Sequence, residues 1–124
     1  MKHLLDVNLL LAAIWSTHPN HQRAFSWLEG KSVVLCPLAE LGFLRISSNR
    51  KAINAPMEKS RKLLKQFSAE RNAERINDDL APLDSAPTTS EEVTDLYLAD
   101  LAAKHNYRLA TLDKGIIHGS VDRV

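Results

Sequence analysis

The hydrophobic and polar positions of this 124-residue chain form short apolar runs separated by longer amphipathic segments. Apolar runs bounded by turn residues are typical of buried strands, and three of them predict strands at 3–6, 32–36 and 108–112. Apolar residues at helical spacing predict five helices, at 9–15, 21–28, 38–47, 57–70 and 90–105. Segment 75–84 predicts only a short strand or an extended loop, and the residues after 117 give no clear pattern. Strands that alternate with helices predict an α/β fold, with a central parallel sheet of four to five strands covered by helices on both faces.

Length and composition indicate one domain, spanning residues 1–124, without repeats or linkers. Apolar residues make up 44% of the chain and charged residues 25%, which is the balance of a globular protein. No apolar run approaches the roughly 18 residues of a membrane span, and Lys2 and Asp6 in the first run argue against a signal peptide. The single cysteine, Cys36, lies in an apolar run, which predicts a buried thiol in a reducing compartment. We therefore expect a cytoplasmic protein with no membrane segment.

Charge is unevenly distributed along the chain, although the net charge is only +1. Residues 45–75 contain nine basic and three acidic side chains, whereas residues 76–100 contain seven acidic side chains and no basic one. A basic block beside an acidic block is expected of a site that binds both a polyanion and metal cations. Two solvated helix faces of opposite charge would give the same pattern, so charge alone leaves both interpretations open.

Three carboxylates follow the predicted strands. Asp6 ends the first strand, Glu40 falls in the first turn of the helix after the second strand, and Asp113 follows the last strand directly. The carboxyl ends of parallel strands lie at one edge of a sheet, and ligands of open α/β sheets bind at that edge. We therefore expect these three side chains to lie close together.

The helix predicted at 90–105 carries two further aspartates, which its periodicity separates. At about 100° per residue, Asp95 lies on the apolar arc that contains Leu98 and Leu101, whereas Asp100 lies on the opposite side. Asp100 is expected at the surface, paired with Lys104 at i, i+4. Taken alone, Asp95 fits a buried cap or an Arg partner as well as a functional role. Because its helix packs on the same sheet, we add Asp95 to the cluster.

Four converging carboxylates, Asp6, Glu40, Asp95 and Asp113, would repel one another strongly. Two unit charges about 4 Å apart cost about 4 kcal/mol at an effective dielectric constant of 20. Such a cluster persists by taking up protons or by binding cations. Since hard, oxygen-seeking Mg²⁺ or Mn²⁺ suits an all-carboxylate site, the sequence predicts that these four residues are metal ligands.

The motifs that carry these acids resemble those of the PIN-domain family, specifically the VapC-type toxin ribonucleases of bacterial toxin–antitoxin pairs. The matching stretches are LLDVNLL at 4–10, PLAELGFLR at 37–45, TDLYLADLA at 94–102 and LATLD at 109–113. Asp100 departs from the pattern, because a small residue is more typical there. The resemblance implies a Rossmann-like PIN fold whose catalytic acids are Asp6, Glu40, Asp95 and Asp113.

The resemblance also implies an activity and partners. It implies an endoribonuclease that depends on Mg²⁺ or Mn²⁺, hydrolyses RNA with a metal-activated water, and leaves 5′-phosphate and 3′-hydroxyl ends. It further implies a cognate antitoxin protein and a homodimer. Arg45 and Lys51 are predicted to hold the RNA backbone. Asn8 is predicted either to hydrogen-bond a ligand carboxylate or to cap the first helix, and Thr111 either to orient Asp113 or only to suit a strand end.

Two other classes of protein fit part of the pattern. A phosphotransfer domain of the receiver or haloacid-dehalogenase type also has an aspartate after its first strand. The dehalogenase type generally has a second aspartate two residues later, where this chain has Asn8, whereas Lys114 keeps the receiver type open. In a non-catalytic module that binds nucleic acid or a partner, the acids would be caps and the basic block would hold the ligand.

Overall fold

The computed structural model describes residues 1–124 and contains five strands and five α-helices. The strands are Lys2–Leu5 (β1), Ser32–Leu35 (β2), Glu74–Arg75 (β3), Arg108–Thr111 (β4) and Val121–Arg123 (β5). The helices are Val7–Ile14 (α1), His21–Leu28 (α2), Pro37–Ser48 (α3), Met57–Glu70 (α4) and Val93–Lys104 (α5). Two short 3-10 helices, Pro82–Asp84 and Ser90–Glu92, lie between β3 and α5. None of the helices combines the length and apolar composition that crossing a bilayer requires.

The strands form one sheet in the order β3-β2-β1-β4-β5, and every pairing is parallel. The prediction of a parallel α/β sheet is therefore confirmed, with five strands. Leu4 of the central strand β1 lies beside Val34 of β2 and Leu109 of β4. This register places Asp6, which follows β1, beside the end of β4, and the Asp6 N–H donates to the carbonyl oxygen of Ala110 at 3.2 Å.

The two faces of the sheet bury alternate residues of each strand, as a sheet covered on both sides requires. On one face, Leu5, Leu35 and Ala110 pack with residues of α1, α2, α3 and α4. On the other face, Leu4, Val34 and Leu109 pack with α5. The predicted helices on both faces are thus confirmed, with four on one side and one on the other.

The first helix begins two residues earlier than its pattern predicts, because Asp6 is its N-cap. Asp6 has extended backbone angles, and its Oδ1 accepts the backbone N–H of Leu9 at 2.7 Å. Asn8 lies inside the first turn of α1 and is exposed, so of its two predicted roles the capping of this helix is wrong. A carboxylate at the N-cap satisfies one of the free N–H groups at the start of a helix.

The C-terminal tail forms strand β5, which its sequence did not predict. Asp122 accepts hydrogen bonds from Arg108 Nε at 2.7 Å and Nη2 at 2.7 Å, and it contacts His3 Nε2 at 2.8 Å. Three residues are too few to show an alternating pattern. The contacts that hold this strand come from the neighbouring strand β4 and from β1, which is distant in sequence.

A capping box precedes α5, in which Thr89 and Glu92 cap each other at the start of the 3-10 helix Ser90–Glu92. The predicted pair of Asp100 with Lys104 is wrong. Lys104 contacts Asp79 instead, whereas Asp100 is only partly exposed and bonds to Ser85 at 2.7 Å and His118 at 2.8 Å. Asp100 therefore ties the segment before α5 and the loop before β5 to the middle of this helix.

Candidate active site

Asp6 lies at the carboxyl end of the central strand and is 1% exposed. Its Oδ1 accepts the Leu9 N–H, and its Oδ2 accepts the hydroxyl of Thr111. Burial is the main reason that the pKa of Asp6 is raised to about 6. The charge of Asp113 adds to this increase, whereas the two hydrogen bonds favour the charged form and oppose it. The carboxylate is thus fixed in orientation, and no Lys, Arg or His side chain forms an ion pair with it.

Thr111, the last residue of β4, connects two of the predicted acids. It is completely buried, and its hydroxyl donates to Asp6 and accepts the backbone N–H of Asp113 at 3.0 Å. The register of β1 with β4 explains this contact, because Leu5 pairs with Ala110 and the next two residues therefore adjoin. Thr111 therefore contacts the backbone of Asp113 and the carboxylate of Asp6.

Asp95 lies in the first turn of α5 and is partly exposed. Loss of hydration is the main reason that the pKa of Asp95 is raised to about 6, and the nearby charges of Asp6 and Asp113 contribute to the increase. Asp113 Oδ1 also accepts the N–H of Gly115 at 2.7 Å, which fixes the turn after β4. Asp6, Asp95 and Asp113 therefore lie together at the carboxyl edge of the sheet.

Glu40, the fourth predicted acid, is held in an ion pair with Arg75. Its Oε2 accepts Arg75 Nη2 at 3.0 Å, and both carboxylate oxygens lie 3.3 Å from Arg75 Nε. With the side chains in these positions, no group of three His, Cys, Asp or Glu residues is arranged to hold a metal ion. The structure thus brings three of the four acids together and gives the fourth a basic partner.

The predicted substrate residues lie at the surface. Arg45 is exposed and lines a hollow of about 270 Å³ together with Val7 and Thr94, which directly neighbour Asp6 and Asp95 in the chain. Lys51 is exposed in the turn after α3, where its N–H donates to Asn49 Oδ1 at 2.8 Å. Arg45 therefore lies beside the acidic edge, whereas no such contact places Lys51 there.

Two residues of the site were not identified from sequence. Arg75 lies in the segment whose pattern was ambiguous, so its pairing with Glu40 had no local signal. Gly42 of α3 is buried against α1, and a Cβ built on it would lie 2.7 Å from Val7 Cγ2. Val is stiff about χ1, so only glycine lets α3 approach the residue after Asp6 this closely. A glycine within an otherwise helical pattern was the available signal.

Comparison with known proteins places this arrangement in a family. A family model described as PIN domain matches residues 3–120, and the chain therefore belongs to the PIN-domain family. The predicted resemblance is confirmed, and family membership removes the receiver and haloacid-dehalogenase alternatives.

Individual relatives agree with this assignment. Ribonuclease VapC38 of Mycobacterium tuberculosis is 33% identical over 121 residues, covering 91% of this chain and 86% of that protein. Ribonuclease VapC44 of the same organism is 32% identical over 126 residues, covering 94% and 89%. The crystal structure of VapBC2 from Rickettsia felis bound to a DNA fragment from their promoter contains a chain with a TM-score of 0.67, covering 100% of this chain and 99% of its own. Its 16% identity makes this a similarity of fold.

Proposed function

We propose that this protein is a VapC-type endoribonuclease toxin that depends on Mg²⁺ or Mn²⁺. The main support is electrostatic: Asp6, Asp95 and Asp113 lie together, yet none of them forms an ion pair with a Lys, Arg or His side chain. Carboxylates with raised pKa values and no basic partner are expected where a cation binds. The named activity of the ribonuclease relatives supports the reaction class.

The donor set fits a hard divalent cation, because the three clustered acids offer only oxygen atoms. Asp6, Asp95 and Asp113 would hold the ion after their side chains turn toward it, and Glu40 would join them after leaving Arg75. A bound divalent cation would supply charge neutralisation at the scissile phosphate and would lower the pKa of a water molecule.

The remaining steps depend on this chain's own side chains. Thr111 and the Leu9 N–H hold Asp6 in one orientation, which leaves its other lone pairs available to a ligand. Arg45, beside the acidic edge, would hold a phosphate oxygen of the RNA.

The proposal includes partners. A cognate antitoxin protein would bind this chain, in keeping with the VapBC2 complex to which the fold is similar. RNA is the proposed substrate, and a homodimer in the bacterial cytoplasm is the proposed state. These statements rest on the family relationship, whereas the metal site rests on the carboxylate cluster.

The experiment that tests the proposal compares the wild type with Asp6→Asn. Asparagine keeps the helix cap but removes the charge, so we expect RNA cleavage in Mg²⁺ or Mn²⁺ to fall at least about a hundredfold, because several kcal/mol of charge stabilisation is lost. Induced expression in a bacterium should arrest growth only for the wild type. Saturating Mn²⁺ should stabilise the wild type against unfolding, by about 2.7 kcal/mol at 100 times the Kd.

The matched control is Asp84→Asn, which makes the same change at an exposed position in the 3-10 turn Pro82–Asp84. It should cleave RNA and bind Mn²⁺ like the wild type. Equal cleavage by wild type and Asp6→Asn would contradict the catalytic role. If the wild type binds RNA but cleaves none with either metal, the non-catalytic binding module is the correct interpretation.

A further inference from the structure

A broad groove lies between α3 and α4, outside the acidic cluster. Its volume is about 690 Å³. Four basic side chains line it: Arg61, Lys62 and Lys65 of α4, and Arg75 of β3. Glu40 and Glu58 also face it, so cations outnumber anions two to one. The groove therefore has a net positive charge, although the whole chain is almost neutral.

The basic side chains of α4 have no anionic partner. Arg61, Lys62 and Lys65 are exposed, and none of them forms an ion pair within 4.0 Å, even though Glu58 precedes Lys62 by one helical turn. Arg61 and Lys65 are four residues apart, and Lys62 and Lys65 are three apart, so they share one face of the helix. Like charges at these spacings destabilise an isolated helix. The stability of α4 therefore does not explain why these basic side chains lie on one face, whereas binding of an external polyanion does.

The groove includes one of the four predicted metal ligands, Glu40, held there by a single ion pair. Glu40 and Arg75 both line the groove and are bonded to each other. A polyanion lying along α4 would therefore contact Arg75, the partner of the predicted metal ligand Glu40. A phosphate that takes the guanidinium of Arg75 would release Glu40, because both anions need the same donors.

We propose that this groove holds the sugar–phosphate backbone of a single RNA strand and leads the strand to the carboxylates. This inference rests on the proposed ribonuclease function. The contacts are made by Arg61, Lys62 and Lys65, with Arg75 nearest the reaction. The residues that line the groove include no aromatic side chain on which a base could stack. Binding in the groove is therefore directed at phosphates and independent of base sequence.

Fluorescence anisotropy with a labelled ten-nucleotide single-stranded RNA tests this groove in EDTA, where metal-dependent cleavage is absent. The test variant is the triple Arg61→Gln, Lys62→Gln and Lys65→Gln. We expect affinity to fall at least about tenfold and the slope of log K against log salt to decrease by about 2, since each phosphate contact on a single strand contributes about 0.7. The matched control, Arg23→Gln, Lys31→Gln and Lys104→Gln, changes charge equally at positions outside the groove. Its slope should stay near that of the wild type.

A second comparison tests the Arg75 connection. Glu40→Gln and Glu58→Gln each remove one negative charge from the groove, but only Glu40 binds Arg75. In EDTA, we expect Glu40→Gln to tighten RNA binding at least about threefold more than Glu58→Gln. Equal effects of the two variants would overturn the role of Arg75.

The outcomes separate this proposal from the proposed function. The groove proposal is wrong if both triple variants weaken RNA binding equally, or if neither weakens it, even if the wild type cleaves RNA. If the groove triple binds RNA normally but loses binding to polyglutamate, the groove serves an acidic protein and the proposal is wrong. If the groove triple alone loses RNA binding but the wild type cleaves no RNA, the groove stands and the catalytic proposal fails. Thermal unfolding of each variant checks that the fold is retained.

Discussion

Two aspartates near opposite ends of β1 and β4, Asp122 and Asp6, have contrasting electrostatic surroundings. Asp122 is bonded to Arg108 and His3, and the hydrogen bond from Arg108 is the main reason that its pKa is lowered to about 2. Asp6 is buried without a cation, and loss of hydration raises its pKa to about 6. At neutral pH the charge on Asp122 stabilises the fold, whereas the charge on Asp6 destabilises it.

This difference teaches what the acidic edge is built for. An acidic side chain whose charge stabilises the fold is expected to form an ion pair, as Asp122 does with Arg108. An acidic side chain whose charge destabilises the fold is expected to bind a ligand, and Asp6 and Asp95 both fit that description. Glu40 lies between these cases, because its partner Arg75 also faces the basic groove.

The largest predicted contrast is the response of stability to pH in the metal-free protein. Between about pH 4 and 6, folded Asp6 keeps a proton that unfolded Asp6 has lost, so stability falls as pH rises through this window. For a pKa of about 6 against about 3.9, the loss is about 2 to 3 kcal/mol. Asp95 acts in the same direction. Asp122 acts oppositely: its contribution is complete above about pH 4 and is lost as pH falls toward 2.

Urea denaturation in EDTA at pH 4.5 and 7 measures this effect. The comparison is with Asp6→Asn combined with Asp95→Asn, which removes both raised titrations while leaving the other groups unchanged. Wild type should lose more stability than the double variant between these pH values. An identical pH dependence for the two proteins would show that neither Asp6 nor Asp95 has a raised pKa.

The next effect concerns the hydroxyl shared by Asp6 and Asp113. Thr111→Val keeps the shape of the side chain but leaves Asp6 Oδ2 buried without this donor, so we expect a loss of about 1 to 2 kcal/mol at pH 7. The pKa of Asp6 should rise further, which carboxyl NMR titration measures. Thr111→Ser is the matched control, because it keeps the hydroxyl. Normal stability and a normal Asp6 titration in Thr111→Val would exclude this hydrogen bond as a determinant of the site.

The smallest effect is expected at the paired acid. Asp122→Asn weakens the bonds to Arg108 and His3, but Asp122 is about one-third exposed, so we expect a loss of only about 1 kcal/mol in urea denaturation. Mn²⁺ should still stabilise this variant as it does the wild type. Loss of the Mn²⁺ response would contradict the separation of the two regions.

Local patterns predicted the elements and the acids that follow them. Leu4 and Leu5 before Asp6 indicated a buried strand end, and the position of Asp95 on an apolar arc distinguished it from Asp100. These conclusions depend on the periodicity of neighbouring residues, which the chain displays directly. The same reasoning failed for the partner of Asp100, because i, i+4 spacing makes a pair possible without excluding a better partner such as His118.

The sequence by itself determined a parallel α/β sheet with acids at its carboxyl edge. Only the tertiary structure decided which acidic side chains form ion pairs. Glu40 pairs with Arg75, and Asp122 pairs with Arg108. Asp6 instead accepts a hydrogen bond from the hydroxyl of Thr111. The tertiary structure also made a strand of the tail. These contacts join residues 14 to 105 positions apart, and their distances follow from strand order, register and helix packing. Local periodicity contains no information on such distances, and they determine whether a carboxylate stabilises the fold or remains available to a ligand.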